Sequence, residues 1–270
     1  MEKTKYLIGD IANLMGLSRD TLRYYEKRGI LSSERGDNGY RYYTDLEIAR
    51  LFGILYQRKM DFGLDDITTL WTTDTRIDHL SSLVEDRLAE EQQAIRRHQQ
   101  TIVRLHMTQR DCENIRNHLN EVVLVNMPAA YIIVPHAEFQ DGIGLWFQYA
   151  KKYSGLDMMC VLDEYSWQQN GESIAVNHKN SQLVLKKELA EYVDYDIQEE
   201  TAPLTQPSLC VSSFCVSPTR VPAADQIHRM ITWAEEQCLV TSHRLYSTFT
   251  MQGLENGKQS CYLELYLPVS

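Results

Sequence analysis

SRDTLRYYEKRGIL, residues Ser18–Leu31, is the stretch that decides how the start of this chain is read. Serine is a favoured helix cap because its hydroxyl accepts an otherwise free backbone N–H of the first turn. Gly29 stops a helix because glycine tolerates the left-handed conformation. Between them stand Arg19, Arg23, Lys27 and Arg28. Leu22 and Tyr25 can face inward while Arg19, Arg23 and Arg28 face outward, so the segment predicts a short basic helix with one buried side.

Upstream, Ile8, Ile11, Ala12 and Met15 are spaced for one apolar face, and Gly16 ends that helix. A helix, a short glycine-containing turn and a basic second helix predict a helix-turn-helix. Downstream, SERGDNGYRYYTD (Ser33–Asp45) sets the turn formers Gly36, Asp37, Asn38 and Gly39 between residues able to pair as a hairpin. Tyr40, Arg41, Tyr42 and Tyr43 place one guanidinium among three phenols. Such a wing can lie along a DNA backbone, with Arg41 on phosphate or in a groove. Thr44 and Glu47 predict a capping box opening a helix to about Met60, with Ile48, Leu51, Phe52 and Leu55 on its apolar side. FGLDDITTLW (Phe62–Trp71) adds another short helix. Taken alone, the pattern also fits the charged, solvated surface of an ordinary helical domain.

The charge is uneven along the 270 residues, whose formal total is -10. Residues 1–60 hold 11 Lys/Arg against 8 Asp/Glu, residues 61–120 hold 7 against 11, and residues 121–270 hold 9 against 18. A locally positive head can bind nucleic acid on an acidic protein, because phosphate contacts are short-range and screened by salt. No run of about 18 apolar residues occurs, so no membrane span is expected. MEKTKYLIGD (Met1–Asp10) lacks the apolar stretch of a signal peptide, and a cytoplasmic protein is expected. The six cysteines form no CxxC pair and read as reduced thiols.

From about Thr75 to Leu119 there is neither proline nor glycine. Ile77, Val84, Leu105, Cys112 and Leu119 fall in steps of seven, interrupted by Glu91 and His98, with Leu80, Leu88, Ile95, Ile102 and Ile115 beside them. The pattern predicts a coiled-coil-like helix of roughly 65 Å, which wants a partner helix. No second long helix is visible in the chain, so a homodimer is expected. His98 and His106 lack acidic or thiol partners at ligand spacing, and neither metal nor cofactor is expected.

Residues 121–270 change texture. Strand-like runs are EVVLVNM, AYIIVPHAE, DMMCVLDEY, EYVDYDIQ, SLCVSSFCVS, RLYSTFTM and CYLELYLPV. Helices are expected at about Gln140–Tyr153 and Ala224–Cys238. Together they suggest a duplicated β-α-β-β unit. The last run alternates strictly: Leu263, Leu265 and Leu267 make a core face, while Tyr262, Glu264 and Tyr266 share the other. Tyr246 is offered by the preceding strand, with Phe249 on its other face if that strand is regular. Trp146, Tyr149 and Tyr153 come from the first helix. Rings around one carboxylate suit a hydrophobic cation, through area, cation–π attraction and countercharge. The same alternation serves a solvated sheet face equally well.

Residues Tyr6–Trp71, through LRYYE, GIL, GYRYYTDLEIARL and GLDDI, resemble the MerR family of transcription regulators. The resemblance implies a winged helix-turn-helix head, with Ser18, Arg19, Thr21, Arg23 and Tyr24 on the recognition helix, Arg41 and Tyr42 on the wing, and Lys59 on phosphate. Asp61 departs from the family's more usual basic residue there. Residues 120–270, through the repeat and the ending ELYLP, are similar to the GyrI-like effector-binding domain of the family's multidrug-sensing branch. That implies Glu264 as the pocket acid, and a bulky aromatic or lipophilic cationic ligand.

The expected architecture is multidomain α and α+β. It comprises a winged helix-turn-helix head (1–73), a long antiparallel coiled-coil dimer helix (74–119) and a duplicated β-α-β-β effector domain (120–270). The implied function is regulation, not catalysis, at double-stranded promoter DNA shared with RNA polymerase. Open alternatives are a GyrI-like hydrolase using Glu264 as a base beside Tyr262 or Tyr266, a protein partner on the acidic domain, and a metal- or redox-responsive regulator. The last would want clustered cysteines, whereas Cys112 stands apart from the next, Cys160.

Overall fold

In a computed structural model, which describes residues 5–72, 76–137, 139–171, 173–198, 202–255 and 257–270, the chain divides into two units, Met1–Ile95 and Arg96–Ser270. The first contains β1 (Tyr6–Leu7), α1 (Ile8–Met15), α2 (Arg19–Lys27), β2 (Glu34–Arg35), β3 (Arg41–Tyr43), α3 (Asp45–Lys59), α4 (Leu64–Thr72) and the start of α5 (Arg76–His118). Gly16, at φ 65°, closes α1, and its N–H reaches the carbonyls of Ala12 and Asn13. Two residues later the Ser18 hydroxyl accepts the Thr21 N–H at 3.0 Å and opens α2, a cap worth about 1 kcal/mol. The three short strands form an antiparallel sheet in the order β1-β3-β2. Ile11, Leu22, Tyr25, Ile30, Leu51, Ile54, Ile67 and Leu70 fill the core.

Two local expectations are corrected. Thr44 precedes α3 without a side-chain cap bond. Glu47 turns instead to Ser32, accepting its N–H at 3.0 Å and its hydroxyl at 2.7 Å. The acid thus joins α3 to the segment after α2 and accepts two donors, whereas its own part in a capping box would be one. Phe52 is 67% exposed. The buried side of α3 runs through Leu51, Ile54 and Gln57, and a residue next to Leu51 is rotated about 100° away from it. Asp61 closes α3 at φ 61° and pairs with Arg87 of α5 at 3.0 Å.

The 43 residues of α5 are one helix. Thr75, where it was expected to begin, and the boundary at residue 73 lie outside the described residues. After α5, Asn120 at φ 64° turns the chain into β4 (Val123–Met127), and its N–H donates to the Phe214 carbonyl at 2.7 Å. There follow β5 (Ala130–Ala137), α6 (Phe139–Lys152), a 3₁₀ turn (Leu156–Met158), β6 (Cys160–Asn170), β7 (Ser173–Lys186), a second 3₁₀ turn (Lys187–Tyr192), β8 (Ser208–Ser217), α7 (Ala224–Glu236), β9 (Arg244–Glu255) and β10 (Lys258–Pro268).

Among the described residues these strands form one seven-stranded sheet, β4-β8-β10-β9-β6-β7-β5. All its ladders are antiparallel. The β-α-β-β order occurs twice, as β5-α6-β6-β7 and β8-α7-β9-β10. In each copy the last strand lies between the other two, and the copies meet where β6 pairs with β9. Leu263, Leu265 and Leu267 are buried against Ile227, Met230 and Ile231 of α7. Leu145, Trp146 and Tyr149 of α6 pack on a second cluster with Ile133, Leu183 and Leu185. The opposite face carries a smaller cluster, Ala130, Leu162 and Val184 with Tyr246 and Cys160.

EYVDYDIQ is not a strand. Its first residues finish the second 3₁₀ turn, and Val193, Tyr195 and Ile197 pack on the α6 cluster without a ladder. β7, by contrast, had no expectation attached to it. Its polar middle pairs with β6 alone, while β5 reaches only from Ser181 onward.

Candidate functional site

On the head, α2 exposes Ser18, Arg19, Arg23 and Tyr24 and buries Leu22 and Tyr25. The half-buried Thr21 bonds its hydroxyl to that of Ser18 at 2.8 Å. Arg23 pairs with Asp20 at 3.1 Å, an exposed pair of small energetic weight. Arg28 differs from the outward position expected of it, because it is half-buried and pairs with Asp65 of α4. In the β2–β3 hairpin the Tyr42 hydroxyl accepts from Asn38 Nδ2 at 2.8 Å. Arg41 pairs with Glu26 at 3.1 Å, and the Tyr43 hydroxyl donates to the same carboxylate at 2.9 Å. Burial, followed by Glu26, holds the Tyr43 hydroxyl well above the usual phenol range. Lys59 is exposed at the end of α3.

Along α5, Ile77, Val84, Leu88, Ile95, Ile102 and Leu105 are exposed, each by at least 40%. Leu80 and Leu83 instead pack into the head core. A groove of about 360 Å³ lies between Met60–Phe62 and the α5 residues Val84, Arg87 and Leu88.

The second unit contains a cleft made by its own duplication. β6 and β9 are paired from Leu162↔Thr248 to Ser166↔Arg244. Beyond Leu162 and Thr248 they part, β6 staying with β7 and β9 with β10. A bulge after Tyr262 sets Phe249 opposite Leu263, so β9 is not regular there. Three recesses meet at Cys160 in this opening. One, of about 180 Å³, is lined among others by Asp111, Lys186, Thr248, Phe249 and Glu264. A second, of about 300 Å³, is lined by Trp146, Met159, Cys160, Val161, Arg220 and Phe249. A third, of about 30 Å³, lies at Lys186, Thr205, Thr248 and Tyr266.

The opening therefore brings Glu264, Trp146 and Tyr266 onto adjoining recesses. Tyr149, Tyr246 and Tyr262 do not line them: Tyr149 stacks with Tyr153 and Tyr195, Tyr246 joins the Leu162 cluster, and Tyr262 lies against Gly253. The six do not form one wall, because α6 covers one face of the sheet and Tyr246 packs on the other. Lys186, Asp111, Cys160 and Arg220 line the opening without having been singled out. Lysine at a strand end and aspartate on a helix read as solvated, and no periodicity marks them as neighbours.

The charges of the cleft are partly matched. Asp157 is held by Arg104 and Arg110 by Glu188. Arg220 reaches the buried Asp163 at 2.9 Å and lies over the Phe249 ring at 5.6 Å. Asp163 also accepts the Ser181 hydroxyl at 2.6 Å. Burial pushes the Asp111 carboxyl up, with Lys186 and Arg110 opposing. Burial, and then the charge and hydrogen bond of Glu264, hold the Tyr266 hydroxyl above its usual range. Among the described residues no group of three His, Cys, Asp or Glu is placed to hold a metal ion.

Residues 6–73 match the family described as MerR HTH family regulatory protein. The chain is similar to the HTH-type transcriptional regulator ZntR of Escherichia coli, 33% identical over 91 residues, which cover 32% of this chain and 64% of that protein. It is similar to the HTH-type transcriptional activator TipA of Streptomyces coelicolor, 38% identical over 66 residues, covering 24% and 26%. The chain thus spans less than two thirds of the length of these curated relatives. Among solved structures, the EcmrR–DNA complex determined by cryo-EM is 19% identical over 98% of this chain and 99% of that one, with a TM-score of 0.36. A superposition of that quality establishes no residue correspondence.

Proposed function

We propose, for a chain whose residues 6–73 form a MerR-type helix-turn-helix head, that the protein is a cytoplasmic transcription regulator working as a homodimer on double-stranded promoter DNA. The observation that carries the reading is the division of labour on α2. Arg19, Arg23 and Tyr24 are exposed on one side, while Leu22 and Tyr25 are buried on the other. Phosphate contacts from such a helix fix register, and base contacts specify sequence. Ser18, Thr21, Arg41, Tyr42 and Lys59 belong to the same proposed surface. The matched relatives, a regulator and an activator of transcription, support this use of the head.

The exposed apolar stripe on α5 supports the dimer: among the described residues, six large apolar side chains at helical spacing are at least 40% exposed along it. Paired antiparallel, two such helices would set two heads on two half-sites. RNA polymerase is the further partner at the promoter, where bound dimer and effector realign the promoter elements by distorting the DNA.

The effector is an aromatic molecule bearing a cationic group, bound in the cleft between β6 and β9, with Glu264 as countercharge and Trp146 and Phe249 as aromatic surface. It regulates only if it binds one conformation of the dimer more tightly than the other. Titration with a panel of aromatic cations, followed by transcription from the protein's own promoter with and without the best binder, tests the reading. Glu264→Gln should weaken binding of the cation and leave operator affinity without ligand unchanged. Full-strength binding by that variant removes the acid from the site.

A further inference from the structure

The cleft contains a cation of its own. Lys186 ends β7 and lines both the Glu264 recess and the small recess at Thr205 and Tyr266. Among the described residues neither Lys186 nor Asp111 takes part in an ion pair, whereas Asp157, Arg110 and Arg220 each have one. Thr248 lines the same two recesses and brings a hydroxyl donor to them.

We propose that the cleft selects, among cationic aromatic molecules, those that also carry an anionic group. The ligand class is an aromatic zwitterion: cation toward Glu264 and Asp111, anion on Lys186 and Thr248, and rings in the recess of Trp146, Phe249, Met159 and Val161. The inference rests on the reading of this cleft as the effector site. Its warrant is the cost of leaving a half-buried charge unmatched. A plain cation answers Glu264 but leaves Lys186 without an ion pair, since Asp111 acts on it only through space. A zwitterion sets an opposite charge against Glu264 and another against Lys186, and its anion gains a charge-assisted hydrogen bond. The shapes agree with this division. The Trp146 recess is the larger, at about 300 Å³, and is lined mainly by apolar atoms. The recess at Lys186 and Tyr266, about 30 Å³, is too small for a ring, and apolar side chains line most of it around Lys186, Thr205 and Thr248.

The test titrates the full-length protein with three probes of one shape. These are N-methyl-para-phenylpyridinium, the same cation with a para-carboxylate on its phenyl ring, and biphenyl carboxylate. Calorimetry reads the affinities. In the wild type the zwitterion should bind about tenfold more tightly than the plain cation, the gain of one charge-assisted bond. Lys186→Met should abolish that preference, and Lys186→Arg should keep it. If the plain cation binds as tightly as the zwitterion in the wild type, the zwitterion inference fails and the cation site stands. If only biphenyl carboxylate binds, or if none of the three binds, the effector-site reading falls and the inference with it. The wild-type ranking decides even if a Lys186 variant does not fold.

Discussion

Arg104 on α5 grips Asp157 through two parallel hydrogen bonds, Nε to Oδ2 and Nη2 to Oδ1, each 2.5 Å. Asp157 sits in the 3₁₀ turn that leads through Met159 into Cys160, so the rim of the cleft is fastened to the helix. Arg96 with Asp194 and Arg110 with Glu188 make further contacts along the same helix.

A double-mutant cycle of Arg104→Met and Asp157→Asn measures that grip. Both side chains are about a third exposed, which weakens the pair below a buried one. The expected coupling in urea unfolding is about 1 kcal/mol, given the bidentate geometry. Additive single effects would show that the two bonds contribute nothing to stability.

Gln100 should matter more than Arg104. It is 2% exposed, donates to the Tyr192 carbonyl at 2.8 Å and accepts the Ser154 hydroxyl at 2.9 Å. Gln100→Leu leaves buried polar groups unmatched and should cost about 2–3 kcal/mol. Gly155, at φ 88°, lies beneath it, and an added Cβ would come within 2.5 Å of the Tyr192 carbonyl oxygen. Gly155→Ala should therefore also destabilise this unit, which its melting temperature would report.

If the α5 stripe is the dimer seam, Ile95→Asp should convert the protein to monomer in analytical ultracentrifugation. Operator affinity should then drop steeply, because two half-sites are no longer joined. A dimer that survives the substitution places the seam elsewhere.

Operator binding separates the head arginines by their partners. Arg19→Ala should reduce the slope of log affinity against log salt by about 1, the loss of one phosphate contact. Arg28→Ala should leave the slope unchanged and lower the melting temperature, because Arg28 is engaged with Asp65.

Thiol chemistry reports on the sheet. Burial pushes the Cys215 thiol up to about 12, so at pH 8 only about one molecule in ten thousand carries its thiolate. Cys238 is exposed. Iodoacetamide should label Cys238 in the native protein and Cys215 only on unfolding, as peptide mass mapping would show. Cys215 remains protonated in the native state throughout the neutral range, because its folded value lies above its unfolded one.

Much of this architecture was legible wherever one periodicity held. Leu263, Leu265 and Leu267 alternate in CYLELYLPV and do form a core face. The Ser18 cap and the Gly16 turn are local chemistry, and they occur where the residues demanded. Contacts between distant segments were not legible. Glu47 looked like the second half of a capping box, but the competing donors of Ser32 cannot be seen from spacing. The polar run Asn177–Asn180 hid β7, because that part of the hairpin extends past β5. Trp146 and Glu264 come onto adjoining recesses only because β6 and β9 part beyond Leu162 and Thr248, a matter of register between two copies. Lys186 gave no signal at all, because its importance lies in its neighbours.

The turn at Asn120 has a mechanical meaning. A rod pinned at one point swivels about its pin. The C-terminal stretch of α5 is pinned at Arg104, and the chain is pinned again where Asn120 bonds to Phe214 of β8. With these pins, and those at Arg96 and Arg110, the swivel is lost, and this stretch of helix is held to the sheet as one piece.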